Sequence, residues 1–313
     1  MTPMHLLIPF ASALSERGTH TLHSLKLTHL SRLLSRLTPT EKSGSDEYSL
    51  TPPHERAQAH ALGWTGADGC LPWAAHRAAQ DGIATGNHAW GQLTPVHWHV
   101  GADHVSLPDP NALHLSAQES QMLFEAVRPL FESEGWLMAW GAPSRWYAAH
   151  DSLDGLPCAS LDRVIGRNLD LWMPNAPQAR LIRRLQNEVQ MLLYQQPLND
   201  ARVGLGALPV NSFWLSGCGR AQVARATIDL TCVDTLRSPA LSSDWAAWAK
   251  AWQALDAGPV RDALNHAQQG QPVALTLCGE RFAQRFELQA QGVLSRWRKR
   301  MSPPSVAPVL EAL

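Results

Sequence analysis

The chain has 313 residues, a length that suits about two domains and burial of most of the surface an unfolded chain exposes. Hydrophobic residues make up 45% and charged residues 17%, which excludes a disordered chain. Twenty-six cations against 27 acids leave a net charge of -1, so a global electrostatic footprint for nucleic acid or an acidic membrane is absent.

Residues 4–10 read as a buried first strand, and residues 20–37 repeat Leu22, Leu25, Leu30, Leu33, Leu34 and Leu37 at helical spacing. Residues 38–49 are polar and rich in breakers, which predicts an exposed loop. Pro52 and Pro53 suit the start of a helix. Residues 63–91 show no clean period, and residues 96–107 alternate as a strand or hairpin. Ser116 with Glu119 three residues on is a capping-box signal for a helix burying Leu123, Phe124, Val127 and Phe131. Residues 135–148 predict a hairpin turning near Gly141.

The clearest helical pattern is residues 177–194, where Leu181, Leu185, Val189 and Leu192 or Leu193 form a stripe among Arg180, Arg183, Arg184 and Glu188. Pro197 is expected to end it. Residues 209–215 read as a strand leading into Ser216-Gly-Cys-Gly219. A strand at 226–233, a helix at 243–255 with Trp245, Trp248 and Trp252 on one face, and a short helix at 258–269 follow. Residues 273–288 read as a hairpin and residues 289–300 as a helix with a basic end. The whole predicts an α/β or mixed α+β chain, with a mixed sheet flanked by helices. Three regions are expected: a His- and Trp-rich part at 1–150, an Arg-rich part at 151–301 and a flexible tail at 302–313.

Tryptophan is over-represented, at 13 against three Tyr and six Phe. A sugar- or base-stacking surface would use such residues, but core packing is the favoured reading. Five cysteines are scattered and never paired as CxxC, which argues against a disulfide framework or structural zinc. No basic leader opens the chain and no run of about 18 apolar residues occurs, so a cytoplasmic location is expected, with no membrane.

Two clusters carry candidate chemistry. His97, His99, Asp103 and His104 combine imidazole and carboxylate, a set that suits a divalent cation; a partly exposed hairpin is the plainer reading. Arg163, Arg167, Arg180, Arg183, Arg184, Arg202, Arg220 and Arg225 fall between 159 and 225, with no lysine and four acids. Arginine pairs bidentately with phosphate and carboxylate, so this stretch is a candidate anion site. Cys218 between two glycines is a candidate nucleophile that lacks a histidine nearby in sequence.

Residues 188–219 resemble a stretch of the archaeal-type cofactor-independent phosphoglycerate mutases. In that family a Pro-Val-Asn-x-x-Arg element is followed by a Pro-Ala-Asn-x-x-Trp-Leu-Trp-Gly-x-Gly strand. Pro197, Asn199, Arg202, Pro209, Asn211, Trp214, Leu215, Gly217 and Gly219 fall into those positions. The resemblance implies a related architecture and, in the family, two divalent metals held by Asp and His with a serine nucleophile. Here no Asp-Gly follows the first strand, and His266 is the single histidine after position 150, so the two-metal centre is not expected. Over the whole chain, the opening His5-Leu-Leu-Ile-Pro-Phe-Ala11, Pro53-His-Glu-Arg56, Leu93-Thr-Pro-Val-His97, Ser160-Leu-Asp-Arg-Val-Ile-Gly-Arg-Asn168, the 210–219 strand and Leu277-Cys-Gly-Glu-Arg281 resemble the bacterial regulatory proteins of the RpfE type.

These resemblances imply a phosphoglycerate-mutase-like regulatory protein without the metal centre. It would bind an anionic metabolite or a protein partner, with no nucleic acid and no cofactor. Arg202, Arg163 and Arg167 are expected to hold the anion, with Asn199, Asn211, Trp214, Gly217 and Gly219 shaping the site. The alternative is a metal-dependent phosphotransferase or hydrolase built on the histidine cluster. A third reading, tryptophans stacking on a partner, has charge support only at Arg296, Arg298, Lys299 and Arg300.

Overall fold

The computed structural model describes residues 4–224, 229–288 and 305–313. The chain gathers into two compact units, one from residues 1–47, 52–63 and 224–313, the other from 48–51 and 64–223. A boundary near 150 therefore does not describe this chain. The reason is topological: the first strand takes its neighbours from the last third of the sequence.

In the first unit, β1 (Met4–Ile8) lies between β10 (Val273–Cys278) and β9 (Asp229–Cys232), parallel to both. Leu6, Leu7 and Ile8 are fully buried, as a central parallel strand covered on both faces requires. Leu6 and Ile8 join one core with Leu22, Leu30, Leu33, Trp248, Trp252 and Leu264. Leu7 joins Cys278 and Ala283 in a separate cluster, against which Ala57 of the Pro53–Ala61 helix packs. β11 (Phe282–Glu287) runs antiparallel to β10.

The leucine repeat at 20–37 forms two helices, Glu16–Ser24 and Thr28–Leu34, rather than one. The second starts where the Asp256 carboxylate accepts the amides of His29 (3.1 Å) and Leu30 (2.7 Å), a distant side chain doing the work of an N-cap. The loop expected at 38–49 is instead mostly β2 (Thr38–Gly44), paired antiparallel with β11 at the sheet edge. Its polarity is that of a guarded edge: Pro39 occupies it and Lys42 sits 4.3 Å over the Phe282 ring. The expected flexible tail carries a helix, Val306–Glu311, and Leu310 and Leu313 are buried in the first core. The Leu313 carbonyl accepts the amides of Arg281 and Phe282. The helix expected at 289–300, with Arg296, Arg298, Lys299 and Arg300, lies outside the described residues, as does Arg225.

The second unit is built on an antiparallel sheet in the order β6-β7-β3-β8: β6 (Leu137–Ala142), β7 (Arg145–Ala149), β3 (Ala89–Val96) and β8 (Ser212–Arg220). A short hairpin, β4 (His99–Val100) with β5 (Val105–Ser106), follows β3. The Ala117–Glu132 and Arg180–Tyr194 helices bury Leu123, Val127, Phe131, Leu185 and Val189 with Phe213 and Leu215 of β8. A helix at Trp73–Gln80, unread in the sequence, packs three alanines against Trp90, Tyr147 and Ala149.

The capping box is present as expected: the Ser116 hydroxyl accepts the Glu119 amide, and Glu119 accepts the Ser116 amide. One turn on, the Ser120 hydroxyl donates to the Pro143 carbonyl (2.9 Å) and accepts the indole N–H groups of Trp140 (3.0 Å) and Trp146 (2.9 Å). Ser120→Ala strands both donors, one of them deeply buried. The expected loss is about 2–4 kcal/mol, read as a lowered urea midpoint.

Core packing accounts for most of the tryptophan excess. Trp64, Trp73, Trp90, Trp136, Trp146, Trp172, Trp214, Trp248 and Trp252 are all at least nine-tenths buried. No described helix is long and apolar enough to cross a membrane.

Candidate functional site

The residues shared with the mutase-like element meet mainly as framework. Asn199 is buried; its amide nitrogen donates to the carbonyls of Leu193 and Val210 (both 2.8 Å), and its oxygen accepts the Val210 amide (2.9 Å). Arg202 is 4% exposed and spends its guanidinium on Glu119 (2.6 Å), the Leu208 carbonyl (3.0 Å) and the Leu113 carbonyl. It is a brace between three segments rather than the anion holder expected of it. Trp214 donates its indole N–H to the Ala159 carbonyl (2.9 Å).

Gly217 and Gly219 do not form a loop after a strand. β8 runs through them, with φ of 67° and 143°. A Cβ at Gly217 would stand 2.8 Å from the Ala74 amide nitrogen, so the glycine admits the Trp73–Gln80 helix onto the strand.

The other candidates are also held by the protein. Arg163 is buried and donates to the Ser49 hydroxyl (2.7 Å). Arg167 lies over the Trp172 ring at 5.7 Å. Cys218 is fully buried with its sulfur 3.6 Å from that of Cys158, and the hydrogen bond between them together with burial pushes its thiol well above the usual range. A thiol in that state is no nucleophile near neutral pH.

His97 donates its Nδ1 proton to the Pro209 carbonyl (2.9 Å), and its ring lies 6.5 Å from that of His99. Among the described residues no three His, Cys, Asp or Glu side chains gather as a ligand set, with Asp103 and His104 included. The described residues do not fit the two-metal centre that the motif resemblance implies.

A cavity of about 420 Å³ lies elsewhere in the second unit. Its wall is the start of the Arg180–Tyr194 helix, contributing Arg180, Arg183, Arg184, Gln186 and Asn187, completed by Trp98 and Met173. The helix is fixed on β8: Gln186 donates to the Phe213 carbonyl (2.7 Å) and Gln190 to the Ser212 hydroxyl (3.1 Å). Burying Ile182, Leu185 and Val189 turns the three arginines outward.

Arg184 pairs with Glu134 (2.5 Å) and Glu188 (3.6 Å). Arg180 and Arg183 have neither an ion pair nor a hydrogen bond among the described residues. The helix start has no side-chain cap and no acid in its first turn. Positive charge at a helix N-terminus opposes the helix dipole. Arg180 also repels Arg183 and Arg184 at spacings of three and four residues. An anion in the cavity would relieve both costs.

The Trp98 backbone is anchored by Asn211. Its amide donates to the Asn211 side-chain oxygen (2.7 Å), and the Asn211 amide donates back to its carbonyl (3.0 Å). Asn211 therefore serves the cavity through its neighbour. None of Arg163, Arg167, Arg202, Asn199, Trp214, Gly217 and Gly219 lines the cavity. Arg180, Arg183 and Arg184 belong to the expected arginine-rich stretch, whereas Trp98, between two histidines, is not among the expected site residues. The available signal was the absence of any acid from Pro177 to Asn187.

No family model and no curated protein matches the chain. Among solved structures it is similar to a cofactor-independent phosphoglycerate mutase from Thermoplasma acidophilum, at 13% identity over 99% of both chains with a TM-score of 0.39. It is also similar to a protein from Pyrococcus horikoshii, at 11% identity over 100% of this chain and 97% of that one, with a TM-score of 0.48.

Proposed function

We propose that this chain is a phosphoglycerate-mutase-like regulatory protein that binds a phosphorylated or carboxylated metabolite in the Trp98–Arg180–Arg183 cavity, without two-metal chemistry. The carrying observation is the pair of unpaired guanidiniums at an uncapped helix start, lining one cavity. Guanidinium favours phosphate and carboxylate because its planar fork donates two parallel hydrogen bonds. The regulatory part of the reading rests on the motif resemblance and on the missing ligand set.

Isothermal titration with inorganic phosphate and 3-phosphoglycerate tests it. Both side chains are exposed, so the Arg180→Ala/Arg183→Ala double variant is expected to keep its fold and lose at least about tenfold in affinity. Affinity is also expected to fall as salt rises, since part of the attraction is between charges near solvent. Equal affinity in the double variant would reject the assignment.

A further inference from the structure

Resting on that reading, we infer that the anion recognised here is carried on a flat unsaturated ring, as in a nucleoside monophosphate or another aryl phosphate. The observation is what Trp98 lacks. Every other described tryptophan has a use inside the protein. Trp90, Trp140, Trp146, Trp214 and Trp248 donate their indole N–H to protein oxygens. Trp64, Trp73, Trp136, Trp172, Trp245 and Trp252 sit against other rings.

Trp98 has no ring partner among the described residues and belongs to neither large core. Its Nε1 has no hydrogen-bond partner, a property it shares with Trp64, Trp73, Trp136, Trp172 and Trp252, so the missing ring partner is what sets it apart. Its backbone is held in place by two hydrogen bonds to the Asn211 side chain. A large aromatic side chain without a ring partner, on an anchored backbone and lining the same cavity as two free guanidiniums, matches a ligand with a π-face and an anionic group.

Met173 adds an apolar, polarizable surface to the wall. Asn187, whose amide has no partner among the described residues, can donate to or accept from a ring edge. A cavity of about 420 Å³ falls in the range that holds a small organic ligand.

The test compares AMP, ribose 5-phosphate and inorganic phosphate by titration calorimetry on the full chain. AMP is expected to bind at least about fivefold more tightly than ribose 5-phosphate, the low end of what stacking one base contributes. Trp98→Leu is expected to erase that difference, so that AMP and ribose 5-phosphate bind it alike. Trp98→Phe keeps a π-face without the N–H and is expected to retain part of the preference. If all three phosphates bind wild type but AMP gains nothing over ribose 5-phosphate, the ring inference falls and the anion reading stands. If none binds, both fall. An AMP preference that survives intact in Trp98→Leu also overturns the inference.

Discussion

Arg202→Ala is expected to destabilise the protein by about 3–5 kcal/mol, the range for removing one partner of a buried ion pair. The guanidinium joins Glu119 at the start of one helix, the Leu113 carbonyl before it and the Leu208 carbonyl after the Pro197–Gly204 helix. Alanine leaves two carbonyls and a partly buried carboxylate without their donor. Arg202→Lys should recover less than half the loss, because an ammonium cannot reach three acceptors in the directions a planar fork does.

The same pair gives a pH signature. Burial pushes the Glu119 carboxyl up, but the Ser116 hydroxyl and amide and Arg202 outweigh it and hold the group below its usual range. A depressed carboxyl stabilises the fold above the unfolded value of about 4.3, and that stability fades as pH falls through the folded value. Arg202→Ala should therefore show a shallower loss of stability between about pH 5 and pH 3 than wild type. Urea unfolding across that window reads both effects; a variant as stable as wild type at neutral pH would remove Arg202 from the framework.

Gly217→Ala is expected to cost about 2–4 kcal/mol through two separate causes. Its φ of 67° is strained for any side chain, and the added methyl would meet the Ala74 amide nitrogen at 2.8 Å and the Trp73 Cβ at 3.0 Å. The first of those contacts is backbone, so relief requires the Trp73–Gln80 helix to lift from β8. Gly135→Ala separates the causes. Gly135 has φ of 81° but nothing within 4 Å of a new Cβ, so only the conformational cost of about 1–2 kcal/mol remains. Thermal unfolding by circular dichroism compares the two. Equal losses would mean that Gly217 matters for its φ alone.

What could be read from the residues was what depends on near neighbours. The Ser116–Glu119 box is closed within one turn, and the stripe of Leu185 and Val189 follows a helical period, so both were legible. β2 was not, because an edge strand looks polar whether or not it is paired. Thr28–Leu34 begins at a carboxylate more than 220 residues away, which no local signal announces.

The arginines illustrate the same limit within the candidate site. Arg163, Arg183 and Arg202 are alike in sequence. One is buried on a serine, one is free on a helix face and one braces three segments. Composition marks the arginine-rich stretch between 159 and 225, and only tertiary packing decides which guanidiniums remain available. Asn211 was selected by the motif, but its part in the cavity became visible only through the Trp98 backbone.

The pairing of β1 with β9 and β10 has a consequence for synthesis. Met4 pairs with Asp229 and Val273, so the first strand leaves the ribosome more than 220 residues before its partners. At ordinary translation speeds that interval is roughly ten to forty seconds. Throughout it, Leu6, Leu7 and Ile8 have unpaired edges on both sides and no core to enter. The 64–223 segment contains all four strands of its sheet, and the last of them, β8, is made before β9 and well before β10, so it can close before the first sheet is complete. The order of maturation is thus written into the connectivity: the inserted unit closes first, and the unit that joins β1 to β9 and β10 closes after it.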